Sequence, residues 1–356
     1  MAGAEVKIKN IYKNYKDVEV LKDVELNIEK GDFLTILGPS GAGKTTLLKM
    51  IAGFENPDSG NISVNGEDIS NKPIYKRNIG MLFQNYALFP HMTVKENIAY
   101  PLKLRKVKKK ELEERVNEIL KYIRLEEYAE RFPRQLSGGQ QQRVALGRSI
   151  IFHPTVLLLD EPLGALDKQL RKQMQLEIKR MHEDMKLTTI SVTHDQEEAL
   201  TMSTKVCVMQ DGRIIQVDSP EDLYSKPKNV FVATFIGEAN IVQTKIERSS
   251  GHVKTVKLFG KEINIIQERL YLEKGMAAKA VIRPEKIHLV QENYEGLKIG
   301  AKAEEVVYAG DILKIKAKAD SGDTVELKIF TSMEMKVTSG ERIYISFSEN
   351  DVELLL

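Results

Sequence analysis

One stretch decides the fold: FLTILGPSGAGKTTLLKM, Phe33 to Met50. Its first part, FLTIL, is apolar on nearly consecutive positions, which is typical of a strand buried on both faces. The following GPSGAGKT, residues 38 to 45, has the GxxxxGK[ST] spacing and leads into a helical pattern. In such a loop the backbone N–H groups surround phosphates, the Lys44 ammonium meets the β and γ oxygens, and the Thr45 hydroxyl reaches Mg²⁺. The stretch therefore predicts a nucleoside triphosphate site at the end of a buried strand.

A second part of the same site is predicted by TVLLLDEP, Thr155 to Pro162. The strand ends in Asp160, which places this carboxylate at the carboxyl edge of the sheet, where ligands of doubly wound folds bind. Asp160 is predicted to hold Mg²⁺ through water, and Glu161, turned another way by strand alternation, to address an attacking water. The residues of the first loop that are predicted to contact the nucleotide are Gly38, Pro39, Ser40, Gly41, Ala42, Gly43, Lys44, Thr45 and Thr46.

Two further polar residues follow apolar runs: Gln84 comes after NIGMLF and His194 after TTISVT. From the residues alone, Gln84 is equally well explained as the start of a loop. His194 is equally well explained as part of the capping group of the next helix. Their role stays open on these grounds.

The motif LSGGQ lies at the start of QLSGGQQQRVALGR, Gln135 to Arg148, a pattern that predicts a helix. Ser137, followed three places on by Gln140, fits a capping box. A cap does not need two glycines, whereas Gly138 and Gly139 leave bare N–H groups at the positive end of the helix, where proteins bind phosphate. The chain thus has one phosphate loop and a second helix start suited to phosphate.

Strand-like runs alternate with helical patterns up to about residue 235, which predicts an α/β fold with a mainly parallel sheet covered by helices. The clearest strands are residues 33–37, 78–83, 155–159 and 188–192, and a hairpin is predicted at Asp211-Gly212. The strand signal is absent from about 85 to 151, which predicts a helical insert. After residue 235, short alternating strands predict a small β-barrel or sandwich. We therefore expect two domains, residues 1–235 and 236–356.

Composition limits the class of protein without naming a partner. Of 356 residues, 42% are hydrophobic and 29% charged, as in soluble globular proteins. Lys+Arg 53 against Asp+Glu 51 gives a net charge of +2, which argues against a dedicated nucleic-acid surface. The single Cys207 excludes an internal disulfide framework. No run approaches the roughly 18 apolar residues of a spanning helix, and MAGAEVKIKN lacks the apolar core of a signal peptide. If the protein works at a membrane, a partner must hold it there.

A guanine-specific GTPase is a competing interpretation of the phosphate loop. Such a protein has Asn-Lys-x-Asp late in its sheet, whereas the only Asn-Lys here is the early Asn71-Lys72, followed by Pro73-Ile74. The sequence therefore does not favour a GTPase.

Together the motifs resemble the ATP-binding subunits of ATP-binding cassette (ABC) transporters, of the bacterial and archaeal importer type with a C-terminal regulatory domain. The resemblance covers essentially the whole chain in family order: A-loop, Walker A loop, Q-loop, signature, Walker B strand, D-loop and H-loop. The corresponding residues are Tyr15, Gly38 to Thr45, Gln84, Leu136 to Gln140, Asp160 with Glu161, Ala165-Leu166-Asp167, and His194. The resemblance implies a P-loop NTPase cassette with a RecA-like core, an antiparallel β edge and a helical insert, followed by an OB/TOBE-like barrel. One departure is Gly147, where the signature helix of the family usually has Ala.

In this family two cassettes pack head to tail, and each ATP lies between the Walker A loop of one subunit and the signature of the other. The resemblance thus implies that the signature contacts the nucleotide of another copy, and that Asp167 couples the two subunits. The signature residues concerned are Ser137, Gly138, Gly139 and Gln140.

The resemblance also assigns roles to the remaining positions. Tyr15 would stack on adenine, with the nearby Tyr12 as a competing aromatic. Glu161 would polarise the water, His194 would contact the γ-phosphate, and Gln84 would sense Mg²⁺ and link the site to a membrane partner. The implied catalytic set is Glu161, His194, Gln84 and Lys44, and the implied metal set is Thr45, Gln84 and Asp160.

The resemblance implies an ATPase that works at the cytoplasmic face of the cell membrane and pairs with a second cassette. Its partners would be integral permease subunits and, indirectly, an extracytoplasmic solute-binding protein, with no nucleic acid. The motifs, including YALFPHMTVKENIAYPLKL and VVYAGD, are more similar to polyamine (spermidine/putrescine) importers than to sugar importers. Sugar, glycerol-3-phosphate and iron(III) importers remain alternatives, as does a soluble cassette ATPase of translation or DNA repair.

Overall fold

The computed structural model describes residues 3–164, 166–267, 272–331 and 337–356. Its contacts divide the chain into two units, Met1–Glu221 and Asp222–Leu356. This division lies before residue 235, where the sequence changes from alternating strand and helix patterns to short alternating strands. The intervening segment belongs with the second unit because the Arg283 guanidinium donates to the backbone carbonyls of Tyr224 and Ala233.

The first unit is built on a central, mainly parallel sheet. The strands of the unit are β1 (Val6–Tyr15), β2 (Val18–Ile28), β3 (Phe33–Leu37), β4 (Ser59–Val64), β5 (Glu67–Asp68), β6 (Ile79–Leu82), β7 (Val156–Asp160), β8 (Thr188–Thr193), β9 (Lys205–Gln210) and β10 (Arg213–Asp218). Its helices are α1 (Lys44–Ala52), α2 (Val94–Leu104), α3 (Lys109–Tyr122), α4 (Gly138–Ile150), α5 (Lys168–Met185), α6 (Gln196–Met202) and α7 (Pro220–Ser225), which extends past the division. The strand order is β10-β9-β3-β8-β7-β6, and every pair from β9 to β6 is parallel. The predicted α/β class is confirmed.

Two smaller expectations about the sheets are also confirmed. A second sheet, with the order β2-β1-β4-β5, is antiparallel and forms the β edge of the cassette. In the hairpin of β9 and β10, Gln210 pairs with Arg213, so the turn consists of Asp211 and Gly212. Their φ angles of 49° and 80° suit the two-residue hairpin turn that matches strand twist.

Helices α2, α3 and α4 lie between β6 and β7, where the sequence lacks strand signal. They share an apolar cluster that includes Ile98, Leu120 and Val144. At Gly147 a Cβ atom would lie 2.9 Å from Cγ2 of Ile119. Glycine therefore lets α4 approach α3 closely, which explains this departure from the usual alanine. In the part of the chain that the structure describes, no helix is both long and apolar enough to span a bilayer.

The second unit is built from two antiparallel sheets. Its elements are α8 (Val230–Phe235) and the strands β11 (Asn240–Ser250), β12 (Val253–Leu258), β13 (Lys261–Ile266), β14 (Ala277–Ile282), β15 (His288–Val290), β16 (Ile299–Tyr308), β17 (Ile312–Ala319), β18 (Thr324–Phe330), β19 (Arg342–Ser346) and β20 (Val352–Leu355). The strand orders are β13-β12-β11-β14-β20 and β15-β19-β16-β17-β18. Apolar side chains of both sheets form one core, which confirms the predicted all-β domain.

The end of the phosphate-loop helix α1 is held by a buried arginine. Arg77 is 4% exposed, and its guanidinium donates to the carbonyls of Met50 and Ile51, in the last turn of α1. The same group also donates to the carbonyls of Ser70 and Lys72. Since carbonyls at a helix end have no partner within the helix, this guanidinium satisfies acceptors that would otherwise be buried and unpaired.

We expect Arg77→Met to lower the free energy of unfolding of the first unit by about 3 kcal/mol, because several buried carbonyls lose their donor. Denaturant titration of the full chain measures this. The matched control is Arg180→Met, since Arg180 is exposed and forms an ion pair with Asp184 at 3.5 Å; it should cost no more than about 0.5 kcal/mol. Equal losses in the two variants would contradict the structural role of Arg77.

Candidate active site

The carboxyl ends of four parallel strands meet at one edge of the sheet. In the register, Leu37 pairs with Thr193, and Asp160 pairs with Val192. Leu82 of β6 likewise pairs with the residue before Asp160 in β7. The loops that follow β3, β6, β7 and β8 therefore start side by side, as expected for the binding edge of such a fold.

The loop after β3 needs its glycines. Gly43 has a φ of 92°, and a Cβ there would lie 2.6 Å from Cδ2 of Leu21. A Cβ on Gly38 would lie 2.3 Å from the carbonyl oxygen of Met209. Helix α1 then begins without a side-chain cap and without an acidic residue in its first turn. The N–H groups of this turn are thus left for an anion.

Lys44 is buried inside this loop. Its Nζ donates to the carbonyls of Gly38 at 2.7 Å and Pro39 at 2.9 Å, and the residue is only 6% exposed. Burial lowers the pKa of the ammonium, and the negative charge of Glu161 opposes this shift. A cation is therefore already in place beside the N–H groups of the loop.

Glu161 brings together the residues that follow three different strands. Its Oε2 accepts a hydrogen bond of 2.8 Å from Nε2 of Gln84, and its Oε1 lies 3.3 Å from Nδ1 of His194. Its own N–H donates to the carbonyl of Val192. The structure thus gives Gln84 and His194, each ambiguous in sequence, a common partner.

The orientation of Glu161 has a different cause from the one expected. Strand β7 ends at Asp160, and Glu161 has a φ of 45°, in the left-handed region. Strand alternation is therefore the wrong explanation; a local reversal of the backbone turns this carboxylate away from that of Asp160. Burial raises the pKa of Asp160, the charge of Glu161 raises it further, and Lys49 opposes the shift.

The polar atoms around this edge have the chemistry of a magnesium site that a nucleotide completes. Among the described residues, no cluster of three or more His, Cys, Asp or Glu side chains could hold a metal alone. Mg²⁺ is usually held by one or two carboxylates together with substrate phosphates and water. Asp160 with the hydroxyl of Thr45 and the amide oxygen of Gln84 fits that requirement.

Tyr15 lies beside the phosphate loop, and Tyr12 does not share its environment. The hydroxyl of Tyr15 donates to Glu55 and is within hydrogen-bonding reach of Thr46, while the side chain is 41% exposed. The hydroxyl of Tyr12 is instead directed to Asp23. Of the two aromatics, Tyr15 has the exposed ring next to helix α1.

The signature motif forms the predicted cap at the start of α4. The Ser137 N–H donates to Oε1 of Gln140 at 2.9 Å, and Oγ of Ser137 accepts from the Gln140 N–H at 3.4 Å, which confirms the capping box. Ser137 and Gly138 are exposed, whereas Gly139 is buried with Leu170 3.0 Å from the position of a Cβ. No hydrogen bond in the described parts of the chain links this helix start to Lys44, Gln84 or Glu161.

The D-loop is described in part, since Ala165 lies outside the described residues. Asp167 caps α5, because its Oδ1 accepts from the N–H groups of Gln169 at 3.1 Å and Leu170 at 2.9 Å. Asp167 is also exposed.

Arg171 was missed by sequence reasoning. Its Nη2 donates to the carbonyl of Leu166 and its Nη1 to Oδ2 of Asp195, both at 3.2 Å. Asp195 in turn caps α6, directly after His194. Arg171 thus joins the D-loop to the H-loop, and a single arginine in a polar helical pattern carries no sequence signal for this.

Comparisons with known proteins agree with these features. The family model described as ABC transporter matches residues 21–164, and the TOBE domain model matches residues 280–355. The protein of Thermotoga maritima named spermidine/putrescine import ATP-binding protein PotA is 46% identical over 330 residues, covering 90% of this chain and 89% of the relative. The protein of that name from Acetivibrio thermocellus is 44% identical and covers 98% and 96%.

Solved structures of the ATP-binding cassette MJ0796 are similar to the first part of the chain. The dimeric structure of its post-hydrolysis state bound to ADP and Pi has a TM-score of 0.55 and 34% identity, covering 60% of this chain and 98% of that one. A second dimeric structure of MJ0796 gives the same values. With its cassette, TOBE domain and near full-length relatives, the chain belongs to the family of ABC transporter ATP-binding subunits, which are P-loop ATPases.

Proposed function

We propose that this chain is the ATP-hydrolysing subunit of a polyamine importer. The observation that carries the ATPase part is the convergence of Gln84, Glu161 and His194 at the sheet edge where Lys44 lies in the phosphate loop. The polyamine part is supported by the relatives, whose printed names specify spermidine and putrescine import.

ATP is proposed to bind with its phosphates on the loop of residues 38–46 and its adenine on Tyr15. The uncapped start of α1 supplies N–H donors, and Lys44 exchanges its carbonyl partners for the β and γ oxygens. Mg²⁺, held through Thr45, Asp160 and Gln84, would neutralise charge on the phosphates.

In the proposed hydrolysis, Glu161 accepts the proton of a water whose oxygen attacks the γ-phosphorus. The bond from phosphorus to the bridging oxygen breaks, which releases ADP and phosphate. Gln84 and His194 hold the Glu161 carboxylate in position beforehand, and His194, whose side chain is 63% exposed, is free to turn towards the γ-phosphate. Positioning and electrostatics then account for most of the rate.

The second copy is proposed to complete each site. At this exposed cap the N–H of Ser137 is bonded to Gln140, whereas the N–H groups of Gly138 and Gly139 have no hydrogen-bond acceptor among the described residues, and no hydrogen bond of those residues joins the cap to the phosphate loop of its own chain. A phosphate that contacts the phosphate loop of one chain and the signature helix start of the other would use both phosphate-binding motifs. Asp167, at the exposed end of α5, would lie at the contact between copies.

The membrane partner is proposed to be a permease, which holds the chain at the cytoplasmic face of the membrane. Its proposed docking place is the segment Tyr86 to Pro90, which begins two residues after Gln84. An extracytoplasmic solute-binding protein would act through that permease.

The substrate proposal is tested on the complex of this chain with the permease and binding protein encoded beside it. With the binding protein loaded with spermidine or putrescine, ATP hydrolysis by the complex in lipid nanodiscs should increase. Maltose, glycerol-3-phosphate and iron(III) are the comparison solutes. Stimulation by one of these and not by polyamines would reject the substrate and leave the ATPase assignment intact.

We expect Glu161→Gln to lower the rate of ATP hydrolysis by about 10² to 10⁴, because the proton acceptor is lost while the side-chain shape is kept. The variant should still bind ATP and should persist as a dimer, which gel filtration with ATP measures. Glu183→Gln, on the exposed side of α5, is the matched control and should hydrolyse ATP normally. Normal turnover in Glu161→Gln would remove this residue from the assigned role.

Ser137→Arg should leave ATP binding to the monomer unchanged, because no hydrogen bond of the described residues joins Ser137 to the phosphate loop of its own chain. Hydrolysis should be abolished, since the arginine blocks the helix start that faces the second copy. Fluorescent nucleotide titration and phosphate release measure the two effects. Gln173→Arg adds the same side chain at an exposed position of α5; hydrolysis that is equal in both variants would refute the shared site.

A further inference from the structure

The segment from Asn85 to Thr93, which we term the Q-loop segment, has an uncommon backbone at its start. Tyr86 and Ala87 have φ angles of 59° and 47°. Non-glycine residues rarely adopt this left-handed region, and two in succession persist only where the surrounding structure holds them. Something must therefore hold the turn in place.

Arg148 of helix α4 holds this turn. Its Nη1 donates to the carbonyl of Ala87 and its Nη2 to the carbonyl of Tyr86, both at 2.7 Å. Its Cζ also lies 5.5 Å from the centroid of the Phe89 ring. Within the described residues no other side chain donates to either carbonyl. The two coplanar N–H donors of this guanidinium therefore stabilise the left-handed turn.

The charge of Arg148 has no carboxylate partner in the described residues. Burial lowers the pKa of its guanidinium, with no nearby negative charge to oppose the shift. A charged group is thus partly shielded from water at the place where it bonds two carbonyls. The two hydrogen bonds to carbonyls, and not an ion pair, therefore fix the position of this guanidinium.

Helix α4 carries the signature at its other end. Ser137 caps its first turn, and at 1.5 Å per residue Arg148 lies about 16 Å further along the axis. The ring of Tyr86 belongs to the same apolar cluster as Leu146 and Ile150 of α4. A displacement of the Q-loop segment therefore acts on α4 through both a bidentate hydrogen bond and apolar packing.

We propose that Arg148 is a positioning residue that transmits the docking of a permease helix on the Q-loop segment to the signature end of α4. This rests on the proposed function for the identity of the docking partner. With the turn at Tyr86 and Ala87 in place, Arg148 aligns α4 so that Ser137 faces the ATP of the second copy. When the segment is displaced, the same bonds move the helix.

A first experiment uses the chain without any partner. Arg148→Lys keeps the charge but loses the planar pair of donors, so hydrogen exchange should become faster both in peptides of residues 85–93 and in those of residues 137–141. Adding Ala87→Gly removes the cost of the left-handed turn. In that double variant the exchange of residues 85–93 should return towards wild type, while that of residues 137–141 stays fast.

The control for this experiment is Arg143→Lys. Arg143 lies on the same helix but bonds Glu177 of α5, so exchange in residues 85–93 should not change. An effect of Arg148→Lys confined to residues 85–93 would overturn the proposal. So would recovery of both segments in the double variant, because Arg148 would then only support a strained turn.

A second experiment compares ATP hydrolysis by the permease complex carrying loaded binding protein with hydrolysis by the detached chain. We expect Arg148→Lys to lower this ratio by about two- to thirtyfold, the range of coupling through a two-state element. Arg143→Lys should keep the ratio, and the double variant should not recover it. An unchanged ratio in Arg148→Lys overturns the proposal. If no permease stimulates the wild type, the proposed function fails, and the exchange experiment alone decides whether Arg148 couples the two segments.

Discussion

The parallel pairing of β3, β8, β7 and β6 is the constraint on which the site depends. In this register Leu37 pairs with Thr193 and Asp160 with Val192, so each strand ends level with its neighbour. A slip of one residue would exchange the two faces of a strand that is buried on both, and would also displace the loop that follows it. The apolar runs of these strands therefore do more than build a core, because they set which polar residues meet at the edge.

The polar groups at that edge hydrogen-bond to one another and to the backbone of their own loops. Lys44 bonds two carbonyls of its own loop, and Glu161 is held between Gln84 and His194. A site organised in this way needs little rearrangement when charge develops during a reaction. The burial that lowers the pKa of Lys44 also means that its ammonium gains from exchanging neutral carbonyls for the negative oxygens of a phosphate.

The sequence predicted those features whose cause is local. The phosphate loop, the capping box at Ser137 and the hairpin at Asp211 follow from residue types at fixed short spacings, and the structure has each of them. Gln84 and His194 were ambiguous from the residues alone because their common partner, Glu161, is distant in the chain and is reached only through the strand register. Strand alternation does not explain the turn of Glu161, because alternation says nothing about a residue whose φ becomes positive where the strand ends.

The residues that sequence reasoning missed share one kind of contact. Arg77, Arg148 and Arg171 each donate to backbone carbonyls. For Arg77 and Arg148 these carbonyls belong to segments far away in the chain, whereas Arg171 donates to the nearby Leu166 and reaches a distant segment through the carboxylate of Asp195. An arginine in a polar pattern normally indicates a solvated side chain, so nothing in the sequence distinguishes these three from their exposed neighbours. Loops around the site lack a ladder of backbone hydrogen bonds, and a planar guanidinium can bond two carbonyls at once where an ammonium lacks that geometry. The positions that shape the loops therefore lie on elements outside the motifs, and a family motif identifies the reacting groups without identifying what holds them.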